Sequence, residues 1–392
     1  MEIDPFNVVP DAPHCAPTLR GHPLDALRER WRHEGDVFRL PDGATCFVDP
    51  VVVKKIFENS DHAFVDHSDF FRLRRGIFGP RPAQVEIGKA GRQFLRASVP
   101  NLLAAAPQVI RSRLAHPTVW PDEGSHLLHD LTGSLLLAAE RADVIRVMLR
   151  DIVMNSVLAG ARQRRSRIDR LRFRRRVMRV LSAEVVRRRR LEGSPYDLLD
   201  IVVHGAGPDA RVAEVVEVFL SFVFALLGST GLALAWSVLL LGTNPATDAP
   251  SSSVVRESLR LFPVAWYFGR TPHREHELAG VRMNPHRDAV VCTYLVHRHP
   301  DHWADPDDFR PSRWADASGP LAYVPFGWGP HSCTGAAIVI DIVAALLDTI
   351  RTIPTTLVLH GTGMIAGAAL APPAFTLRPA TPPTVDRKGG ES

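Results

Sequence analysis

The hydrophobic and polar positions along the chain predict a mainly helical protein with a small β region. Apolar residues recur at spacings of three and four over residues 126–161, which is typical of helices that pack one face on a core. Two short β-prone runs, Val37–Leu40 and Thr45–Val48, flank a turn and predict a hairpin. A second β pair is predicted near the C-terminus, at Thr355–His360 and Ala374–Leu377.

The segment Val218–Gly242 contains no charged residue. By length and apolarity it could cross a membrane, but a helix that is hydrophobic all round can equally form the core of a large protein. Gly228 and Gly231 lie near its middle. We interpret the segment as a long central helix inside the fold and expect no membrane span.

Residues 162–190 are rich in arginine but keep apolar residues between the charged ones. A basic helix can indicate binding to nucleic acid or to an anionic membrane. The alternative, which we prefer, is that the basic side is solvated, so we expect no nucleic-acid partner. The interleaved apolar positions predict one stripe on an amphipathic helix: Ile168, Leu171, Val177, Val180, Leu181 and Val185.

Glycine and proline punctuate the segment Phe64–Gly91, which predicts a long loop. Its arginines are consistent either with a solvated surface or with recognition of an acidic substrate. A helix is predicted next, in which Arg92 and Arg96 share one face because they are four residues apart. The arginines of the loop are Arg72, Arg74, Arg75 and Arg81.

Length and composition indicate one large domain. The chain has 392 residues, a hydrophobic fraction of 45% and a net charge of +5; it is long for a single domain, but no linker divides it. We expect a single domain over residues 1–392 with a short disordered tail at about 380–392. The four cysteines have no disulfide or zinc spacing, and the first residues lack a basic region followed by an apolar one, so we expect a cytoplasmic protein without leader or anchor.

Cys333 lies between a Gly/Pro-rich loop and an apolar helical run that begins at Ala336. The N–H groups of a first helical turn stabilise negative charge, which would lower the pKa of the thiol. Phe326 can pack next to the sulfur. Taken alone, Cys333 is better explained as a buried structural cysteine, since free cysteine is among the most buried residue types. Three glycines would let the backbone approach a flat ligand closely: Gly327, Gly329 and Gly335.

An acidic and a basic residue three positions apart, Glu257 and Arg260, share one helix face. The run Asp308–Trp314 follows, and it contains Arg313. A lone Glu-x-x-Arg is common and is weak evidence. The Glu-x-x-Arg segment, then the run that contains Arg313, then the cysteine loop follow one another along the chain. Together, in this order, they form a specific pattern.

The spacing Phe326-x-x-Gly329-x-x-x-Cys333-x-Gly335 resembles the haem-thiolate loop of the cytochrome P450 family, and further matches cover nearly the whole chain. The resemblance implies a helical triangular prism, with haem b between the long central helix and the cysteine loop. It also implies that Cys333 is the axial iron ligand.

The family also implies roles for other residues. Glu257, Arg260 and Arg313 would form a buried ion-pair cluster that supports the haem loop. The family usually has His or Trp at the position of Arg92. Four residues would bind the haem propionates: Arg92, Arg96, Arg270 and His331.

The chain departs from the family pattern in two places. The family's acid–alcohol pair falls on Gly228 and Ser229, so the hydroxyl is kept and the carboxylate is missing. Ser229 is the nearest candidate for proton delivery, and Thr230 either shares that role or bonds back to its own helix. The connection after Pro245 is also shorter than usual.

The resemblance implies a haem-thiolate oxidoreductase that hydroxylates, epoxidises or oxidatively couples a small organic molecule of secondary metabolism. Electrons would come from a ferredoxin with its reductase, or a similar donor. Two alternatives stay open. The missing acid favours a P450-like haem protein that uses peroxide or performs a non-redox rearrangement, and the shortened connection favours a non-catalytic partner protein.

Overall fold

Helices make up most of the computed structural model, which describes residues 22–65, 81–138, 142–156, 167–191, 193–315, 321–361, 363–367 and 369–380. The helices are α1 (Pro23–Glu34), α2 (Pro50–Glu58), α3 (Arg81–Leu114), α4 (Asp122–Leu136), α5 (Ala142–Ser156), α6 (Arg167–Arg188), α7 (Leu198–Ala206), α8 (Val212–Val223), α9 (Thr230–Thr243), α10 (Ser251–Leu261), α11 (Thr293–Val296) and α12 (Ala336–Arg351). The strands are β1 (Val37–Arg39), β2 (Thr45–Phe47), β3 (Thr118–Trp120), β4 (Phe268–Arg270), β5 (His276–Leu278), β6 (Val281–Met283), β7 (Ala289–Val291), β8 (Thr355–Leu359), β9 (Ile365–Ala366), β10 (Leu370–Ala371) and β11 (Phe375–Pro379).

The predicted hairpin is confirmed. Strands β1 and β2 pair antiparallel with Val37 opposite Phe47, and β2 joins a four-stranded sheet in the order β1-β2-β7-β4. Helix α2 follows directly. The side chain of Asp49 caps it by accepting a hydrogen bond from the N–H of Val52 at 2.8 Å.

The C-terminal β pair is also confirmed, since β8 and β11 pair antiparallel. The sequence analysis missed β3, which adds to the other side of β11. Trp120 of β3 stacks on Phe375 of β11 with ring centroids 5.6 Å apart. This contact ties the end of the chain to the segment before α4.

The predicted loop Phe64–Gly91 is wrong over its last part, because α3 begins at Arg81. Gly91, the last residue of the predicted loop, lies inside this helix and marks a close contact. A Cβ on Gly91 would lie 2.7 Å from the ring of Phe222 in α8, so any larger residue at this position would displace that ring. The side chain of Arg81 and the whole of Arg72, Arg74 and Arg75 lie outside the described residues.

The long central helix is confirmed as a continuous run of α8, a wider π-helical turn at Phe224–Ser229, and α9. It is long and apolar enough to cross a membrane, but 78% of its most apolar window is buried inside the protein. This is the placement of a core helix. It packs against α4, α10 and α12.

The apolar stripe of helix α6 is shorter than the sequence predicts. Val177, Leu181 and Val185 are buried, but the stripe does not extend to Ile168 and Leu171, which are 61% and 42% exposed.

Its basic side is not entirely solvated either. Arg188 is fully buried and forms ion pairs of 2.6–2.9 Å with Glu184, Asp197 and Asp200. A buried cation among carboxylates fixes the end of α6 to the start of α7.

The short connection between α9 and α10 is held by α12. The guanidinium of Arg351 donates to the carbonyl oxygens of Thr247 and Ala249 at 3.2 and 2.8 Å. The hydroxyl of Ser251, the first residue of α10, donates to Asp348 at 2.6 Å. The shortening therefore leaves α10 packed on α12.

Helices α4 and α9 cross where two glycines meet. A Cβ on Gly124 would lie 2.3 Å from the carbonyl oxygen of Gly231, and a Cβ on Gly231 would lie 2.8 Å from the backbone nitrogen of Ser125. Both contacts are with backbone, which cannot rotate away. The distance between α4 and the central helix therefore depends on this glycine pair.

We expect Gly124→Ala to destabilise the protein by about 1–3 kcal/mol, since overpacking forces the two helices apart. Gly133→Ala in the same helix is the matched control, because its Cβ would meet side-chain atoms and no backbone: Cδ of Arg146 at 3.4 Å and Nε2 of His129 at 4.0 Å. Alanine is otherwise better in a helix by up to about 1 kcal/mol. Urea unfolding midpoints measure both effects, and an equal stability of the two variants would contradict the account of this crossing.

Candidate functional site

The loop before Cys333 is closed by backbone hydrogen bonds. The N–H of Cys333 donates to the carbonyl oxygen of Phe326 at 2.8 Å, and the N–H of Gly327 donates to Val324 at 3.1 Å. Gly327 and Gly329 have φ of 71° and 66°, a region that side chains other than glycine rarely adopt. The glycines thus allow the tight turn that brings Phe326 next to Cys333.

Cys333 is an exposed residue, although its sulfur is desolvated by the protein around it. The backbone N–H of Gly335 hydrogen-bonds to the sulfur, which favours the thiolate, but desolvation by the surrounding protein is larger and raises the pKa of the thiol. The prediction of a lowered thiol pKa is therefore wrong for the protein alone. A coordinated metal ion would reverse this balance, because it deprotonates a thiol ligand.

Helix α3 lies beside both the cysteine loop and the central helix. A Cβ on Gly88 would lie 3.8 Å from Cγ2 of Thr334, next to Cys333, and Gly91 contacts Phe222. Arg92 and Arg96 follow Gly88 at spacings of four residues, so they continue the helix face that reaches the loop. Both arginines are exposed.

Arg270 is buried on β4. Its guanidinium lies 5.5 Å from the ring centroid of Phe57 and donates to the carbonyl oxygen of Gly269 at 3.1 Å. The next residue of α2, Glu58, lies against Gly329 of the cysteine loop. Arg270 and the cysteine loop therefore both contact the C-terminal end of α2. The side chain of His331 lies outside the described part of the structure.

One face of the central helix is only partly buried, at Ser221, Ala225 and Ser229. These small residues are four positions apart. Gly228 and Thr230 are buried, and the hydroxyl of Thr230 donates to the carbonyl oxygen of Ala225 at 2.8 Å. The structure therefore separates the two hydroxyls: that of Thr230 bonds back to its own helix, and Ser229 stays on the less buried face.

The structure brings Glu257, Arg260 and Arg313 together. Glu257 and Arg260 are fully buried and pair at 2.8 Å, and Nε of Arg313 lies 3.0 Å from Glu257. Sequence reasoning missed the indole N–H of Trp314, which donates to the other oxygen of Glu257 at 2.9 Å. Arg260 also donates to the carbonyl oxygens of Pro306 and Asp308, so every charge in the cluster has hydrogen-bond partners.

His297 connects this cluster to the cysteine loop, a role that the sequence analysis missed. Its Nδ1 lies 3.0 Å from the carbonyl oxygen of Arg260, and its Nε2 accepts the N–H of Val324 at 2.9 Å. These partners require a neutral ring with the proton on Nδ1. Burial, together with the charges of Arg260 and Arg298, lowers the pKa of His297 to about 3.

Comparison with known proteins agrees with this geometry. Residues 252–349 match the family model "Cytochrome P450". Human cytochrome P450 4V2 is 31% identical over 169 residues, which cover 36% of this chain and 32% of that protein. Cyclooctatin synthase from Streptomyces melanosporofaciens is 31% identical over 150 residues, which cover 31% of this chain and 33% of that protein. The matched segments thus span about a third of the length of these relatives.

Solved structures agree over almost the whole chain. A mutant of P450 EryK in complex with erythromycin B aligns with a TM-score of 0.74 and 18% identity, covering 92% of this chain and 97% of that one. Open EryK from S. erythraea aligns with a TM-score of 0.72 at the same identity, covering 93% and 97%. The chain therefore has the cytochrome P450 fold, and its residues 252–349 match the cytochrome P450 family in sequence.

The cofactor of this family is haem with a cysteine thiolate on the iron, and the residues of the site fit it. Cys333 offers a sulfur ligand on an exposed residue of a loop whose tight turn depends on glycines. Arg92, Arg96 and Arg270 offer guanidinium groups suited to carboxylates such as the haem propionates. On the central helix, the partly buried face carries small side chains at Ser229, Ala225 and Ser221.

We expect Glu257→Gln to destabilise the protein by about 3–5 kcal/mol, because it leaves Arg260 buried without its counter-charge. Arg310→Ala is the matched control. The side chain of Arg310 pairs with Asp305 on the surface, which contributes at most about 1 kcal/mol, while its backbone N–H still donates to Glu257. Denaturant unfolding of both variants measures the difference, and a loss below about 1 kcal/mol for Glu257→Gln would contradict the assignment of a buried, mutually dependent cluster.

We expect His297 to make stability fall as the pH drops below its ordinary pKa of about 6.5. The unfolded chain binds a proton at this residue and the folded chain does not, down to a pH of about 3. The slope from this one group approaches about 1.4 kcal/mol per pH unit. Unfolding free energies measured from pH 7 to 5 should therefore decline less steeply in His297→Gln than in the wild type, and equal slopes would show that His297 titrates normally.

Proposed function

We propose that this protein is a haem-thiolate monooxygenase, or a related oxidoreductase, acting on a small organic molecule of secondary metabolism. The observation that carries the proposal is Cys333, an exposed residue in a closed loop beside α3, supported by a buried ion-pair cluster. Cyclooctatin synthase and the EryK complex with erythromycin B support a natural-product substrate. We further propose a cytoplasmic protein that receives electrons from a ferredoxin and its reductase.

Bound haem would supply dioxygen activation, with electron release from the thiolate favouring O–O cleavage. This chain's residues would hold the group. Cys333 would bind the iron, and the guanidinium groups of Arg92, Arg96 and Arg270, with His331, would bind the propionates. The backbone N–H of the residue two positions after Cys333 would donate to the sulfur and so limit the charge on the thiolate.

Ser229 is the residue that we propose to deliver protons to the reacting oxygen. It lies on the partly buried face of the central helix, whereas the hydroxyl of Thr230 is already used by Ala225. With glycine at position 228, the proton must reach Ser229 through water or a substrate group. Such positioned proton transfer contributes on the order of 10²–10⁴ in rate.

A second candidate function is favoured by the same glycine. A P450-like haem protein that uses peroxide, or that performs a non-redox rearrangement, does not consume the two protons that the reduction of dioxygen requires, so it depends less on a carboxylate beside Ser229. The partner-protein alternative is less favoured, because α10 and its ion-pair cluster are fully assembled despite the short connection.

Oxygen incorporation distinguishes the two candidates. The purified holoprotein is given NADPH, a ferredoxin with its reductase, isotope-labelled dioxygen, and compounds, erythromycin B among them, selected for shifting the haem absorption band. A monooxygenase places one labelled oxygen atom in the product and reduces the other to water, consuming two electrons and two protons. Product formed only with added peroxide, or an isomer with no labelled oxygen, would favour the second candidate.

We expect Ser229→Ala to lower the amount of product per NADPH consumed by at least about tenfold, with the lost electrons released as hydrogen peroxide. Thr230→Val is the matched control, since it also removes one hydroxyl, but one that is bonded to the helix. The ratio of product to peroxide measures the effect. An equal loss in the two variants would exclude a specific role for Ser229.

A further inference from the structure

The C-terminal end of α2 contacts the cysteine loop through one exposed residue of that loop, Trp328. Its indole N–H donates to Oε1 of Glu58 at 2.9 Å. Nζ of Lys54, one turn earlier on α2, lies 3.4 Å from the centroid of the same ring. The ring is therefore held at its edge by an anion and on its face by a cation.

The backbone of the cysteine loop also lies close to the backbone of α2. A Cβ on Gly329 would lie 3.2 Å from Cα of Glu58, so the loop rests directly on the helix. The position four residues beyond Gly329 is Cys333. Between the two, the N–H of Ser332 donates to the carbonyl oxygen of Gly329 at 3.1 Å. A displacement of Trp328 and Gly329 would thus be passed through one short turn to the sulfur.

We propose that Lys54, Glu58 and Trp328 form a clamp that positions the Cys333 sulfur for axial ligation. The three are positioning residues, which would act on the sulfur through the backbone of the loop. The proposal rests on the proposed haem-thiolate function of Cys333. The physical argument is that the loop, rich in glycine, has few side chains of its own to fix it, and Trp328 supplies the largest of them.

The three residues of the clamp contribute different kinds of contact. Glu58 gives a charge-assisted hydrogen bond with a defined direction. Lys54 contributes through the ring face, and desolvation in this position lowers the pKa of its ammonium group. Glu58→Gln should keep an oxygen that accepts from Trp328, while Glu58→Ala removes the acceptor altogether.

The first test is backbone hydrogen–deuterium exchange in the loop, measured on the full-length protein as purified. Amides of residues 324–335 should exchange about fivefold faster in Glu58→Ala and in Trp328→Phe than in the wild type. The double variant should be no faster than either single one, because both remove the same bond. Lys55→Ala, on the exposed side of α2, is the control and should leave exchange unchanged.

The second test follows thiolate ligation of the iron by absorption spectroscopy. The reduced carbon monoxide complex of Glu58→Ala should lose its thiolate-type absorption band severalfold faster in dilute urea than the wild type, and Glu58→Gln should restore the wild-type rate. Equal rates in all variants, or additive effects in the double variant, would overturn the clamp. If neither the variants nor the wild type show a thiolate-type band while exchange still responds to Glu58→Ala, the clamp stands as a loop contact and the haem-thiolate function fails.

Discussion

The buried carboxylate of Glu257, on α10, is the contact on which the cysteine loop and its supporting segments depend. It neutralises Arg260 and Arg313 and accepts the indole N–H of Trp314, so that segments far apart in sequence meet at one charge. Arg260 in turn binds backbone carbonyls of the loop before Arg313. Removing any one partner would leave a buried charge uncompensated, so the members of this cluster depend on one another.

His297 extends this constraint to the site. It is bonded on one side to the carbonyl oxygen of Arg260 and on the other to the N–H of Val324, where the cysteine loop begins. The loop is then closed by the bond between Cys333 and Phe326. A rigid chain of contacts therefore runs from Glu257 to the sulfur, which is the kind of support that a metal ligand needs to keep its orientation.

The sequence predicted well what short patterns determine. The hairpin at β1 and β2, the central helix and the β8–β11 pair all follow from local periodicity, and the cysteine loop follows from residue types at fixed offsets. Contacts between distant segments could not be predicted. Gly91 was interpreted as part of a loop because its contact with Phe222 is invisible in sequence, and the burial of Arg188 depends on Asp197 and Asp200 across a turn. The thiol pKa was predicted in the wrong direction because desolvation depends on the whole surrounding fold.

The central claim is that Cys333 binds haem iron, and the most direct test is the absorption spectrum of the purified protein, reduced and exposed to carbon monoxide. The wild type should show the strongly red-shifted Soret band of thiolate-ligated haem, and Cys333→Ser should lack that band while other residues can still retain haem. A wild-type protein that binds haem without this band, or a Cys333→Ser variant that keeps it, would contradict the account.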